Sequence, residues 1–391
     1  MKIAVIGFGR CGGQIADTFA RLNRRARRHR GVNIVLDSFA VNTNESDLAG
    51  IRTIRADGNH RIVIGKTTTR GQGAARISEL GAQIAREEQD KVINALRSSR
   101  HFGEADAILM LAATAGGTGS GAMPVLAQRL KESDWSKPVY CMAVLPFEYE
   151  EQAEARTIHN TALCLKSAYA VADALILAEN QRFHRKESPL RFNTARINEH
   201  IVEPFYDLLC AGEERRHRRI GTRVLDAADI VETFSGWTAL GHGRTQLPMI
   251  RLPFLSSRDY RKRSASSGRG SQAMEQAISD LSVQCRPRES SRALYLVCAP
   301  SSEMNSYLTG DLSERLRDLA PDAIIRAGDY PDDRGIIAVS IALSGISEIA
   351  RVKEYYLKAT ALLETSQQQQ EVDAARKSDT DSAANDLPTL L

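Results

Sequence analysis

Ten consecutive residues have the composition of a phosphate-binding turn. They read Ala112-Ala113-Thr114-Ala115-Gly116-Gly117-Thr118-Gly119-Ser120-Gly121, with four glycines and three small hydroxyl residues. The apolar run Ala107 to Leu111 before them reads as a buried strand, and Ala122 to Lys131 after them has helical spacing. A turn of this kind aims backbone N–H groups at a helix N-terminus, where the helix dipole places roughly half a positive charge. Phosphate binds there. No Lys follows the glycines, so this is not a Walker loop. Amides, the helix end and a metal ion are left to meet the phosphate charge. A second stretch, Thr222 to Ile230, carries Asp226 and Asp229. A carboxylate can orient water for phosphate hydrolysis, or Asp226 can simply cap a helix from Ala227 to Phe234.

The elements around these residues follow from the pattern. Residues 2–6 read as a first strand, and Gly7-Phe8-Gly9-Arg10-Cys11-Gly12-Gly13-Gln14 opens a helix through Phe19. That turn fits G-x-G-x-x-G, so a dinucleotide site is a competing reading, with Asp37 as the candidate ribose acid. Val139 to Leu145 and Ala174 to Leu177 read as further buried strands. A long helix from about Arg191 to Cys210 carries Ile197, Ile201, Phe205 and Leu208 as its apolar stripe. Pro204 in its interior costs roughly 3 kcal/mol unless the backbone adapts. Later, Arg292 to Cys298 and Gly335 to Leu343 read as strands, and Asp311 to Leu319 and Ser347 to Leu363 as helices. Residues 256–272, rich in Ser, Arg and Gly, read as a mobile loop.

Composition narrows the class. The chain has 391 residues, 42% hydrophobic and 26% charged, enough for two domains with substantial cores. No run of about 18 apolar residues is present to span a membrane. The N-terminus passes straight into a strand without a signal-peptide pattern. The six cysteines show no C-x-x-C pair, so they read as reduced thiols of a cytoplasmic protein, with neither zinc nor disulfides. The net charge of +4 is mild. Two arginine clusters, Arg21 to Arg30 and Arg215 to Arg219, read as solvated helix ends or loops. They lack the interleaved aromatics of a single-strand binder, and no nucleic-acid partner is expected.

Taken together, these loops resemble the tubulin/FtsZ superfamily. Gly116 to Gly121 is very like its signature loop, with Ala115 where a third Gly is usual. Gly9 to Gln14 is close to tubulin's first loop, and makes Cys11 a small residue against a nucleotide and not a catalytic thiol. Thr69 to Arg76 is similar to the FtsZ stretch over the terminal phosphate, with Ala75 and Arg76 in place of two glycines. Arg76 there either adds charge or faces water. The strand end Pro146-Phe147-Glu148-Tyr149-Glu150-Glu151 resembles the one whose carboxylate holds the ribose; Glu150, Glu151 and Glu154 are the candidates, Glu150 the preferred one. Asn180 and Asn198 match the two guanine-contacting amides, and an amide suits a purine edge because it both donates and accepts. Asp226 and Asp229 match the acidic loop that enters the neighbouring subunit's pocket, with Val224 where FtsZ often has Asn. Gly328-Asp329-Tyr330-Pro331 and Leu343-Ser344-Gly345 look like the archaeal CetZ branch.

The resemblance implies an α/β tubulin/FtsZ fold. It has a Rossmann-like GTPase domain with a parallel sheet (1–190), a core helix (191–212) and a smaller α/β activation domain (213–365). Residues 366–391 form a disordered tail, whose end, Asp386 to Leu391, looks like the FtsZ peptide that docks on membrane adaptors. It implies a GTP/GDP site made by Gly9, Arg10, Cys11, Gly12, Gly13, Gln14, Asn42, Ala74, Ala75, Arg76, Gly116, Gly117, Thr118, Gly119, Ser120, Glu150, Asn180 and Asn198. Mg2+ is expected on the phosphates through water, with no direct protein ligand. Hydrolysis would occur where copies meet head to tail, a contact that builds filaments because it does not close. The implied role is in cell shape. Two other functions are distinguishable from this one: an NAD-dependent oxidoreductase on the first glycine turn, and a GTP-binding scaffold that does not hydrolyse.

Overall fold

The structure is a computed structural model. It describes residues 1–365 apart from 134, 185–189, 215–219 and 248–258, and of residues 190–193 and 259–265 it describes the backbone alone. The second arginine cluster and the tail with its terminal peptide therefore lie outside the described residues.

Ten strands form one sheet in the order β3-β2-β1-β4-β5-β6-β7-β10-β8-β9. The first six are β1 (Ile3–Phe8), β2 (Val35–Asn42), β3 (Arg61–Val63), β4 (Ala107–Ala113), β5 (Val139–Leu145) and β6 (Ala174–Glu179). They pair in parallel throughout. The others are β7 (Gly236–Gln246), β8 (Arg292–Ala299), β9 (Ile324–Pro331) and β10 (Ile336–Ser344). Here β10 runs antiparallel to both β7 and β8. Three register pairs, Ala174 with Gly236, Leu175 with Trp237 and Ile176 with Thr238, join the two halves of the sheet. Alternate strand residues feed two cores, one on each face: Ala4, Ile6 and Phe8 on one, Ile3 and Val5 on the other. That two-sided burial is why the parallel strands read as unbroken apolar runs.

The opening helix, Gly9–His29, runs ten residues past the expected end at Phe19. Five of the clustered arginines, Arg21, Arg24, Arg25, Arg27 and Arg28, are exposed as expected, and Arg30 is the exception. Arg21 and Arg25 pair with Glu199 and Glu203 of the core helix Leu190–Cys210 at 3.0 and 3.2 Å. Arg30 is buried and pairs with Asp207 at 2.6 Å and Asp332 at 3.0 Å. Three carboxylates four residues apart on one helix thus meet three arginines of another. The core helix is unbroken through Pro204.

A second correction concerns residues 256–272. From Asp259 onward this stretch is helical, within the helix Asp259–Ser279. It presses closely against β7. A Cβ on Gly241 or Gly243 would stand 2.1 and 2.0 Å from the carbonyls of Ala277 and Ala273. The glycines that permit this approach are on β7, facing Ala273 and Ala277, while Gly270 of the loop-like stretch faces Leu308 of the helix Ser306–Leu319. Among the described residues all six cysteines are free, and no helix is long and apolar enough to cross a membrane.

Candidate functional site

The C-terminal ends of β1, β2, β4, β5 and β6 share one edge of the sheet, since Phe8 pairs with Val41 and Ala112, Ala113 with Val144, and Leu145 with Glu179. Loops leaving such an edge are where α/β sheets bind ligands. A cleft of about 920 Å³ opens there. Gly9, Arg10, Cys11, Gln14, Asn42, Arg76, Gly116, Gly117, Thr118, Gly119, Glu150, Asn180 and Asn198 line it. Of the residues expected at the site, Gly12, Gly13, Ala74, Ala75 and Ser120 do not. Ser120 is buried behind the turn, where its hydroxyl bonds Ser78 at 3.0 Å.

The glycine turn is built as expected, with the helix Thr118–Glu132 starting inside it. None of its glycines needs a left-handed backbone, and Ala115 sits without strain. The glycines are there for space. A Cβ on Gly121 would lie 2.2 Å from the carbonyl of Ser78, whereas one on Gly116 would meet nothing within 4 Å. Gly116 therefore faces the open cleft. Hydroxyls pin the turn from both sides. Thr43 and Thr118 bond at 2.6 Å, and Thr114 bonds Thr161 at 3.1 Å and the Val144 carbonyl at 3.2 Å.

Asn160, fully buried on the helix Ala155–Val171, does more. Its amide N–H donates to the Arg76 carbonyl at 2.8 Å and the Ala115 carbonyl at 3.0 Å, and so ties two loops together. Nothing in the sequence singles out this Asn from any other helical one. Asn44, Asp47, Phe147, Thr157, Thr194 and Ala195 also line the cleft without having been predicted. Asn42 holds two of these neighbours: its amide donates to Asp47 at 3.2 Å and accepts from the Asn44 N–H at 3.2 Å.

The loop before Asn160 carries a stored cost. Ala75 and Arg76 stand at φ +47° and +58°, in the left-handed region, where glycine would be at ease. Each costs roughly 1–2 kcal/mol. The Arg76 side chain lines the cleft but pairs with Glu154 at 2.7 Å, so much of its charge is already answered.

The three candidate ribose carboxylates separate cleanly. Glu150 lines the cleft and accepts the Phe147 N–H at 3.0 Å. Glu151 turns inward to Arg351 and Tyr355, and Glu154 is paired with Arg76. Burial, with a smaller push from Glu150, raises the Cys11 thiol to about 12, so it stays protonated and is no nucleophile. Asp37, on which the dinucleotide reading leaned, lies near the start of β2 and away from this cleft. It lines a different one, and its carboxylate faces His60 and Ser99. Asp226 and Asp229 are on the far side of the chain's order but in one capping box. Asp226 accepts the Asp229 N–H at 3.0 Å and Asp229 accepts the Asp226 N–H at 3.2 Å. Asp229 also pairs with Arg326 at 3.0 Å. Among the described residues no three His, Cys, Asp or Glu converge as a metal cage.

Residues 2–187 match the Tubulin/FtsZ family, GTPase domain, and residues 189–361 match Tubulin-like CetZ, C-terminal domain. The chain is 31% identical over 368 residues to Tubulin-like protein CetZ4 of Haloferax volcanii, covering 90% of each. It superposes on the GDP-bound monomer of CetZ1 from the same organism with a TM-score of 0.78, at 27% identity, covering 93% of this chain and 100% of that one. The GTPγS-bound protofilament of H. volcanii CetZ2 gives the same TM-score at 26% identity, covering 94% and 100%. The likeness holds from the first strand to the last helix and covers the loops around the cleft. This chain belongs to the tubulin/FtsZ family, in its CetZ branch.

Proposed function

We propose that the cleft binds GTP and that the protein hydrolyses it while assembling head to tail. One observation carries this reading. Loops at one sheet edge, together with the core helix, line one cleft with a glycine turn on a helix N-terminus, the carboxylate Glu150 and the amides Asn180 and Asn198, the groups that phosphate, sugar and base would need. N–H groups of Gly116 to Ser120 would hold phosphate, Glu150 the ribose, and Asn180 with Asn198 the guanine edge. Relatives solved with GDP and GTPγS support the choice of nucleotide. Magnesium would arrive on the phosphates. There it would keep most of its waters and supply charge neutralisation.

The carboxylates that line the cleft are engaged: Asp17 accepts the Thr53 and Ile54 N–H groups, Asp47 the Asn42 amide and Glu150 the Phe147 N–H. The acidic loop is the remaining source, brought by the next subunit, as the protofilament of CetZ2 suggests by its existence. Both oxygens of Asp229 have partners within the subunit. Asp226 is exposed, and its Oδ2 has none among the described residues. Asp226 is therefore the carboxylate that reaches across, and Asp229 holds it. Residues 1–190, 191–212 and 213–365 then act as the nucleotide unit, the connecting helix and the unit that carries the acidic loop. The cellular role proposed for the filament is control of cell shape, in the cytoplasm.

The test is to release bound nucleotide by denaturation and weigh it. Guanine nucleotide is expected; NAD in its place would end this reading. GTP turnover should then rise faster than in proportion to protein concentration, because the site is completed in trans. A scaffold that does not hydrolyse would show binding and no turnover at any concentration.

A further inference from the structure

A second polar cleft, of about 410 Å³, lies beside the first and is lined by Glu148, Glu151, Gln152, Arg351, Glu354 and Lys358, with Ile158. At its centre is Arg351, near the start of the terminal helix at 350–365. Its guanidinium donates to Glu151 and stands 3.5 Å from Glu179 and 2.7 Å from Glu354. Tyr355, one turn later, donates its hydroxyl to the same Glu151 oxygen at 2.5 Å, and the guanidinium lies 4.7 Å from that ring. Arg351 touches no residue lining the nucleotide cleft. It grips the residue immediately after Glu150 and the residue immediately before Asn180.

Those two neighbours decide which way the cleft residues point. On the short helix Glu148–Ala153, turning Glu151 inward leaves Glu150 facing the cleft. Glu179 ends β6, and its N–H donates to the Ser282 carbonyl at 2.7 Å, so its side chain and backbone are both fixed just before Asn180. Burial, with smaller pushes from Glu151 and Glu148, raises the Glu179 carboxyl above its usual range, against the pull of Arg351 and Arg182. Without Arg351, the buried Glu151 and the partly buried Glu179, whose carboxyl is already pushed up by the charge of Glu151, would lose the cation they share. Burying like charges without a partner is costly, and the loops that carry them are free to swing outward. The planar fork of Arg donates to Glu151 and Glu354 while its Nε side stands in ion-pair contact with Glu179; a Lys could satisfy only part of this.

We infer that Arg351 is a positioning residue for the nucleotide, holding the sugar-facing and base-facing loops in register from the terminal helix. This rests on the GTP reading above and adds a named connection between the bound nucleotide and the last helix of the fold. Removing Arg351 should therefore speed nucleotide release although the side chain is nowhere near the phosphates.

The experiment measures release of a fluorescent GTP analogue from the full chain by stopped flow, with thermal melting of each variant alongside. Arg351→Ala is expected to release nucleotide at least about tenfold faster, and Arg351→Lys to fall between it and wild type. Lys353→Ala, at an exposed position of the same helix where the side chain pairs with Glu348, should release at the wild-type rate. Glu151→Gln keeps the packing and removes one end of the grip, so it gives the answer if Arg351→Ala does not fold. Combined with Arg351→Ala it should add little, because both cut one link. An unchanged release rate in Arg351→Ala, or in Glu151→Gln where Arg351→Ala is unfolded, overturns the inference. A wild-type chain that takes up no guanine nucleotide removes the reading underneath it instead.

Discussion

The Arg30 guanidinium meets the Asp207 carboxylate at 2.6 Å with both side chains almost wholly out of water. Arg334 reaches the same carboxylate at 2.8 Å, and Asp332 accepts from Arg30 and stands in ion-pair contact with Arg334. The Tyr206 and Tyr330 rings close over Arg30 at 4.7 and 4.3 Å. The opening helix, the core helix and the β9–β10 turn are thereby fastened at one point. Burial alone would push the Asp207 carboxyl up. The charges of Arg334 and Arg30 outweigh it and hold the group well below the usual carboxylate range.

Asp207→Asn should therefore cost stability, by about 3–5 kcal/mol for breaking a buried pair from one side. The sign with pH follows from a folded value below the unfolded one. The stabilisation is complete above the unfolded carboxylate value of about 4 and is lost as pH falls below it. Urea unfolding at pH 7 and at pH 3 should show a large gap between wild type and variant at the first and a smaller one at the second. Equal gaps would mean that the carboxylate charge is not what holds this point together.

The two acidic-loop carboxylates should behave differently. Asp226→Ala is expected to abolish GTP turnover without loss of GTP binding, and to cost about 1 kcal/mol as a lost helix cap. Asp229→Ala leaves Arg326 paired with Glu232 alone and should slow turnover less. Steady-state turnover paired with equilibrium binding separates them. Full turnover by the double variant would remove the acidic loop from the chemistry altogether.

Ala75→Gly should stabilise the protein. The left-handed position costs alanine roughly 1–2 kcal/mol, and the extra freedom of glycine in the unfolded chain returns about 0.4–1 kcal/mol of that. A net gain near 0.5–1 kcal/mol in denaturant unfolding is expected. A loss would show that the φ of +47° is not strained in this setting.

Asn160→Ala cuts both carbonyl bonds that tie the glycine turn to the strained loop. At about 1 kcal/mol for each hydrogen bond, nucleotide affinity should fall between about five- and thirtyfold, while the buried helix keeps its fold. Titration calorimetry with GDP reads it directly. Affinity within twofold of wild type would mean that the turn holds its shape unaided.

Cys11 should be inert to alkylation from pH 6 to 9, since its thiol is raised to about 12 and carries almost no thiolate in that range. Iodoacetamide labelling followed by peptide mass spectrometry checks this. Rapid labelling at pH 8 would show that the thiol is neither buried nor raised.

Much of this architecture was readable beforehand, for identifiable reasons. β1, β4, β5 and β6 are buried on both faces, so each appears as an apolar run, and the glycine turn sits between one such run and a helix. β7 was not legible, because Gly241 and Gly243 are spent on contact with a helix and dilute its apolar signal. The helix packed there was hidden because its small residues look like a loop's. Arg30 looked solvated because its partners lie 177 and 302 residues away. Asn160 gave no signal, since its task is set by which loops the fold brings to it. Glu150 could be separated from Glu151 and Glu154 only once the partners of the latter two were seen.

The ten strands make one uninterrupted ribbon, fastened at its middle by three register pairs between β6 and β7. Peptide hydrogen bonds in a ladder hold or part; they stretch very little. The strands that end at the nucleotide cleft and the strands that follow the acidic loop thus belong to one hydrogen-bonded body.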